Sequence, residues 1–240
     1  MGSNPTSRTI EPKAKGARLL NRSKSDKKLE EEVEAIIELA HNGDAEAQYS
    51  VGMMYFDMEI GDEDTEDFEE AAKWFRLAAD QGEESAQYWL ALMYRSGTGV
   101  PYDPAEAARL MARSAELGHQ EARHNLGMMY ALGFGVEQNG EEALRWIKCA
   151  AENGSSSSIR VLGRMYLDGI FVQQDYAEAV RLLRLAATNH DSEAQFILSK
   201  LYAEGRGVPQ DPKEADMWSL LAMEGDSWGE DELFWIGRIW

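Results

Sequence analysis

The sequence predicts an all-α protein: an α-solenoid (right-handed superhelix) of five helix–turn–helix repeats with a half-repeat at each end. Three observations lead there. Tyrosines recur at Tyr55, Tyr94, Tyr130, Tyr166 and Tyr202, with a first interval of 39 residues and then three of 36. A Gly-x-Gly turn follows at Gly97 and Gly99, Gly133 and Gly135, and Gly205 and Gly207, while the fourth copy has Gly169 and Phe171. An Asp or Asn three residues before a Glu then appears five times at 36-residue spacing: Asp67–Glu70, Asp103–Glu106, Asn139–Glu142, Asp175–Glu178 and Asp211–Glu214. A pattern written five times at one period describes architecture, since a catalytic centre is assembled once.

Residues 1–28 read as a disordered basic tail. They are polar, and eight Lys or Arg against Glu11 and Asp26 make them +6, which leaves −25 of the net −19 on residues 29–240. "MGSNPT" fits an N-myristoylation pattern with Gly2 as acceptor, although so short a motif also arises by chance. A basic, Ser-containing leader also has the composition of an organelle-targeting segment. Residues 29–43, "LEEEVEAIIELAHNG", sit where a second helix of a repeat would be, and are expected to cap the first repeat.

The repeats are read at about 44–82, 83–118, 119–154, 155–190 and 191–225. Each opens with helix A. Eight residues before each tyrosine is a small residue (Ala47, Ala86, Ala122, Ser158, Ala194), and three before it is another (Gly52, Ala91, Gly127, Gly163, Ser199). An aliphatic residue lies between them (Val51, Leu90, Leu126, Leu162, Leu198), so all share one helical face. Small positions let a neighbouring helix approach, and the larger ones fill the gap. The Gly-x-Gly follows a helix rather than a strand, so it reads as a helix stop and turn, not a phosphate loop. In the first repeat this loop, around "MEIGDEDTE", carries three extra residues.

Helix B opens on the Asp/Asn–x–x–Glu signature, a capping box in which the cap oxygen takes a free backbone N–H and the Glu reaches back to another. Pro104 and Pro212 stand at the first helical position, where a missing N–H costs nothing. An alanine (Ala71, Ala107, Ala143, Ala179, Ala215) and a large apolar residue three later (Trp74, Leu110, Trp146, Leu182, Trp218) mark the buried face. One such hairpin cannot bury both faces, and stacking resolves this. After the fifth repeat, "EDELFWIGRIW" fits a sixth helix A within a C-terminal half-repeat, 226–240. Trp228, Phe234, Trp235 and Trp240 either fold over the last repeat or form a contact surface for self-association.

These positions together resemble the Sel-one-like repeat (SLR) family, short relatives of the tetratricopeptide repeats. Residues 44–225 carry its pattern five times. The resemblance implies a non-enzymatic protein–protein interaction module, an adaptor or scaffold. Some secreted members are cysteine-rich and linked with β-lactam binding; with Cys149 as its one cysteine, this chain is a poor match to them.

Composition excludes several classes. An acidic body repels nucleic acid. No apolar run approaches a membrane span, no secretory h-region is seen, and a single cysteine suits a reducing, cytoplasmic setting. His41, His119, His124 and His190 have no second ligand at metal spacing, and no nucleophile–base or cofactor motif appears, so no cofactor, metal or catalytic residue is expected. The candidate site is the concave helix-A face, formed by Tyr49, Met53, Tyr88, Trp89, Leu92, His124, Asn125, Met128, Arg160, Arg164, Phe196 and Lys200. Its first half is apolar and its second basic. Either the cations pair with acidic residues on neighbouring helices, or they receive an acidic partner peptide. Competing functions are an inhibitor or immunity protein that blocks a toxin or enzyme, and, more remotely, a cell-wall or lactam hydrolase.

Overall fold

A computed structural model describes residues 24–56 and 65–224. Within them lie eleven helices and no strands: α1 (Lys24–His41), α2 (Ala45–Phe56), α3 (Thr65–Asp80), α4 (Glu84–Ser96), α5 (Pro104–Leu117), α6 (Gln120–Leu132), α7 (Gly140–Glu152), α8 (Ser156–Asp168), α9 (Tyr176–Thr188), α10 (Ser192–Glu204) and α11 (Pro212–Glu224). Each helix packs on the next, and α2 also meets α4. The A helices are α2, α4, α6, α8 and α10; their B partners are α3, α5, α7, α9 and α11. This is the expected all-α solenoid.

The first helix corrects the expected tail, because it begins at Lys24, inside the segment assigned to disorder. Lysines and glutamates are good helix formers, and Lys28 pairs with Glu32 one turn on at 3.4 Å, so a polar segment sustains the helix. Further along, α1 behaves as a B helix. Ala40 is buried, its carbonyl accepts from Gln48 Nε2 at 3.1 Å, and His41 meets the Trp74 ring edge-on at 5.3 Å.

Close approach within each hairpin rests on the small residue three before the tyrosine. A Cβ on Gly52 would lie 2.6 Å from the Phe75 ring, one on Gly127 2.8 Å from Ile147, and one on Gly163 2.9 Å from Leu183. These partners are fully buried, as are Trp74, Trp146 and Trp218 to within a few per cent. The tryptophans are core, not an aromatic box.

The capping box is only half formed. Asp103, Asn139, Asp175 and Asp211 accept from first-turn amides as expected. The backbone N–H of each cap instead donates to the carbonyl of the preceding helix's tyrosine: Tyr94, Tyr130, Tyr166 and Tyr202, at 2.9–3.0 Å. The hairpin turn supplies this acceptor, so the Glu is released to the outer face. There Glu106, Glu142 and Glu178 pair with Arg109, Arg145 and Arg181. In the first repeat α3 starts at Thr65, so Asp67 lies within the helix rather than at its cap. A loop glutamine finishes three of the turns: Gln138, Gln174 and Gln210 donate to the carbonyls of Ala131, Leu167 and Ala203, each at 2.8 Å.

The two glycines of the turn do different work. Gly97, Gly133, Gly169 and Gly205 end helix A at φ of 69–79°. The second glycine permits contact with the preceding B helix: a Cβ on Gly135 would lie 1.9 Å from the Pro104 carbonyl, one on Gly99 2.3 Å from that of Phe68, and one on Gly207 2.8 Å from the Tyr176 side chain. The fourth repeat inverts the sizes. Phe171 holds the left-handed place at φ 59°, and it faces Gly140, where the equivalent place in the other repeats is Phe68, Pro104 or Tyr176. A Cβ on Gly140 would meet the Phe171 ring at 2.2 Å.

Gly140→Ala is therefore expected to cost about 1–3 kcal/mol by overpacking. Adding Phe171→Gly, which restores the arrangement of the neighbouring repeats, should recover most of it, read as a coupling energy of about 1 kcal/mol or more in urea unfolding. A second expectation concerns acid. Hydrogen bonds from Arg109 and Arg181 hold the Glu106 and Glu178 carboxyls below the usual carboxylate range. A lowered folded-state pKa stabilises the fold above the ordinary Glu value of 4.5, and this is lost as pH falls through the folded value. Both pairs are exposed, about 0.3–0.5 kcal/mol each. Arg109→Ala/Arg181→Ala should lower Tm by about 2 °C at neutral pH, and by progressively less as pH falls below the ordinary Glu range, read by thermal circular dichroism.

Candidate functional site

The expected site residues lie on the A helices, and the structure divides them. Tyr49, Met53, Tyr88, Trp89, Leu92 and His124 are half-buried, and Phe196 and Lys200 are exposed. In the first two repeats the aromatic rings form a connected run. Tyr49 lies 6.0 Å from Phe75, Phe56 5.0 Å from Trp89, and Trp89 5.8 Å from Tyr88, which stacks on His119 at 4.4 Å. Lys200 places its ammonium over the Phe196 ring at 4.2 Å.

Asn125 and Met128 are buried, so they are packing residues rather than an open contact surface. Asn125 Nδ2 reaches the Tyr88 hydroxyl of the previous repeat at 3.4 Å, and Met128 joins the core. The basic section also corrects the groove reading. Arg160 is only 2% exposed. Its guanidinium donates to Asp191 at 3.0 Å and lies 2.6 Å from a Glu193 oxygen, and Arg164 reaches the other Glu193 oxygen at 3.0 Å. The two arginines and two carboxylates join repeats four and five. Burial pushes the Arg164 pKa down, and Glu193 opposes that shift. Asp191 has a second task, capping α10 by accepting from the Ala194 amide at 2.8 Å.

A common geometry explains this. The residue two after the small position reaches onto the start of the next A helix. Tyr88 meets His119, His124 Nδ1 bonds Ser158 Oγ at 2.8 Å, and Arg160 meets Asp191 and Glu193. These are rungs between repeats, with different chemistry at each step. A second set of rungs escaped the sequence reading. One residue after the small position, Gln48, Gln87 and Gln195 donate to the carbonyls of Ala40, Ala79 and Ala187 on the preceding B helix, and Arg123 does so to Ala115, at 3.0–3.2 Å. The signal was present, a glutamine in a fixed place beside an apolar stripe, but Arg123 and Ile159 at the same place obscured it.

Among the described residues no group of three or more His, Cys, Asp or Glu is placed to hold a metal ion, and no helix is long and apolar enough to cross a membrane. Cys149 is half-buried on α7. Trp228, Phe234, Trp235 and Trp240 lie outside the described residues.

The Sel1 repeat profile matches residues 45–83, 84–119, 120–155, 156–191 and 192–226. The chain belongs to the Sel1 repeat family. Among solved structures, a Sel1 repeat protein from Oxalobacter formigenes is similar at 31% identity and TM-score 0.71, covering 81% of this chain and 85% of that one. The protective antigen c5321 of uropathogenic Escherichia coli, which displays an SLR fold, is similar at 30% identity and TM-score 0.52, over 80% of this chain and 48% of that one. The immunity protein Pa5087 from Pseudomonas aeruginosa shares the fold at 20% identity and TM-score 0.51, over 80% and 72%. No curated protein matches the sequence. Sel1 repeat proteins generally mediate protein–protein interactions.

Arg160→Ala removes the cation paired with Asp191 and leaves Glu193 with Arg164 alone, and should cost about 3 kcal/mol in urea unfolding. Lys200→Ala, on the same face but exposed, should stay within about 0.5 kcal/mol.

Proposed function

We propose that this Sel1 repeat chain is a non-enzymatic adaptor that binds a partner protein or peptide along the concave face of its A helices. The observation that carries this reading is the half-open aromatic run of repeats one and two, with Tyr49, Met53, Tyr88, Trp89 and Leu92. Aromatic and long apolar side chains held rigid by their neighbours bury much area at small entropic cost, which suits them to anchor a partner. Internal neutralisation of Arg160 and Arg164 moves the preference away from an acidic peptide. The partner segment is apolar, with Phe196 and Lys200 as an outlying contact. The single cysteine supports a cytoplasmic setting.

The acidic body supports a second reading, in which the same face blocks a basic toxin or enzyme. A tight one-to-one complex that silences the partner's activity would distinguish the inhibitor from the adaptor.

The test is affinity capture from lysate of the source cell with the full chain, followed by titration of the bound protein. Met53→Glu and Leu92→Glu each place a charge on the half-open face and should weaken binding about tenfold or more while Tm stays within a few degrees. Lys213→Glu, on the exposed face of α11, should change nothing. Equal affinity for all four chains would refute the assignment of this face.

A further inference from the structure

Each A helix is capped by the residue three before its buried small position, and one of the five caps differs in kind. Asp44 and Asp191 accept from the amides of Ala47 and Ala194 at 2.8 Å, Glu83 from that of Ala86, and Ser155 from that of Ser158 at 3.3 Å. On α6 the cap is His119, whose Nδ1 accepts from the Ala122 amide at 3.3 Å. A carboxylate or hydroxyl oxygen accepts on either side of neutral pH. An imidazole nitrogen accepts only while it lacks a proton, and imidazole is the side chain that changes charge between pH 5 and 8.

The same nitrogen has a second neighbour. Glu121 Oε2 lies 3.4 Å from it, on a side chain that is 68% exposed. An amide N–H and a carboxylate ask opposite things of one nitrogen: the first needs its lone pair, the second a proton in that place. Nδ1 thus suits Ala122 when neutral and Glu121 when protonated, and a cation at the positive end of a helix repels the amides it had capped. The other charged groups about the turn are Glu84 of α4 and Arg123 of α6, both within 4 Å of where a Cβ on Gly118 would stand, and Glu116 in the last turn of α5. Arg123 is itself held to the Ala115 carbonyl at 3.2 Å.

The ring's orientation matters beyond α6. It lies flat on Tyr88, with centroids 4.4 Å apart and planes 19° apart. Tyr88 adjoins Trp89 at 5.8 Å, and its hydroxyl receives Asn125 Nδ2 at 3.4 Å, so it is both a rung of the junction and a part of the aromatic run. Turning Nδ1 away from Ala122 turns the ring plane too, and the flat contact with Tyr88 goes with the cap.

We propose that His119 is a proton-operated switch at the junction of repeats two and three. Neutral, it caps α6 and holds Tyr88 in the aromatic face; protonated, it turns to Glu121 and releases both. Resting on the reading of that face as the partner site, this makes partner binding strongest above the imidazole range and weaker in mild acid. The test is NMR of the full chain, without partner, titrated from pH 8 to pH 5. The Ala122 amide, Tyr88 ring and Trp89 indole resonances are expected to move with the midpoint of the His119 ring. Ala122 hydrogen exchange, corrected for its intrinsic pH dependence, should accelerate at least about fivefold. His119→Ser and His119→Asp, which copy the caps of α8 and α10, should abolish these changes, and His124→Asn, at the next junction, should leave them in place. An Ala122 amide that stays still while His119 titrates would overturn the proposal, as would changes that survive His119→Ser or that bypass Tyr88 and Trp89. With no partner in the sample, a face that binds no protein would still show these shifts, so failure of the binding reading and failure of the switch are told apart.

Discussion

Everything in this fold depends on how closely an A helix can approach its B partner. A methyl group on Gly52, Gly127 or Gly163 would fall inside the van der Waals envelope of Phe75, Ile147 or Leu183. With no side chain there, the backbone itself lies against a fully buried core residue of the partner. That contact fixes the hairpin angle, which sets where the tyrosine carbonyl lies. The carbonyl then takes the N–H of the next cap, and the cap starts helix B. A local steric allowance thus propagates, bond by bond, into the geometry of a complete repeat. Because each repeat is joined chiefly to its neighbours, the same allowance repeated five times builds the solenoid.

Between repeats the contact is of a different kind. The hairpins stack through apolar faces, but their relative placement is fixed by polar groups that cross the junction. Glutamine side chains close the open carbonyls at the ends of B helices, and the A-helix rungs change from aromatic stacking, to a His–Ser hydrogen bond, to a buried four-residue charge cluster. Buried polar groups are costly unless paired, so each junction tolerates one alignment of its two repeats far better than a shifted one. The charge cluster also decides what the surface offers. Two arginines that would have given the face a basic half are neutralised by Asp191 and Glu193, and the accessible face is mainly aromatic and aliphatic.

Function follows from which side chains the stacking leaves unused. The apolar stripe, the tyrosines, the glycines and the tryptophans are consumed by architecture. What remains open on the A helices is a short aromatic run in the first two repeats and an isolated Phe–Lys pair in the fifth. This is the vocabulary of a protein contact, consistent with the general role of Sel1 repeats.

The sequence by itself determined the helices, their order, their turns and the packing role of the recurrent small and apolar residues. Those features obey local rules: the 3.6-residue period, the cap oxygen, and the left-handed glycine, each seen within a dozen residues. It also held both members of the Phe171–Gly140 exchange, 31 residues apart, but nothing local links them. Only the tertiary structure showed that the glutamates of the expected capping boxes face outward, because a tyrosine carbonyl from the previous helix had already satisfied the cap. Only it decided that Met128 and Asn125 are buried and that Arg160 is a strut rather than a contact. Those outcomes turn on which groups meet across a junction of about 30 residues in sequence, as Arg160 does with Asp191. A side chain's own helix gives its direction, but what occupies that direction is set by the neighbouring repeat.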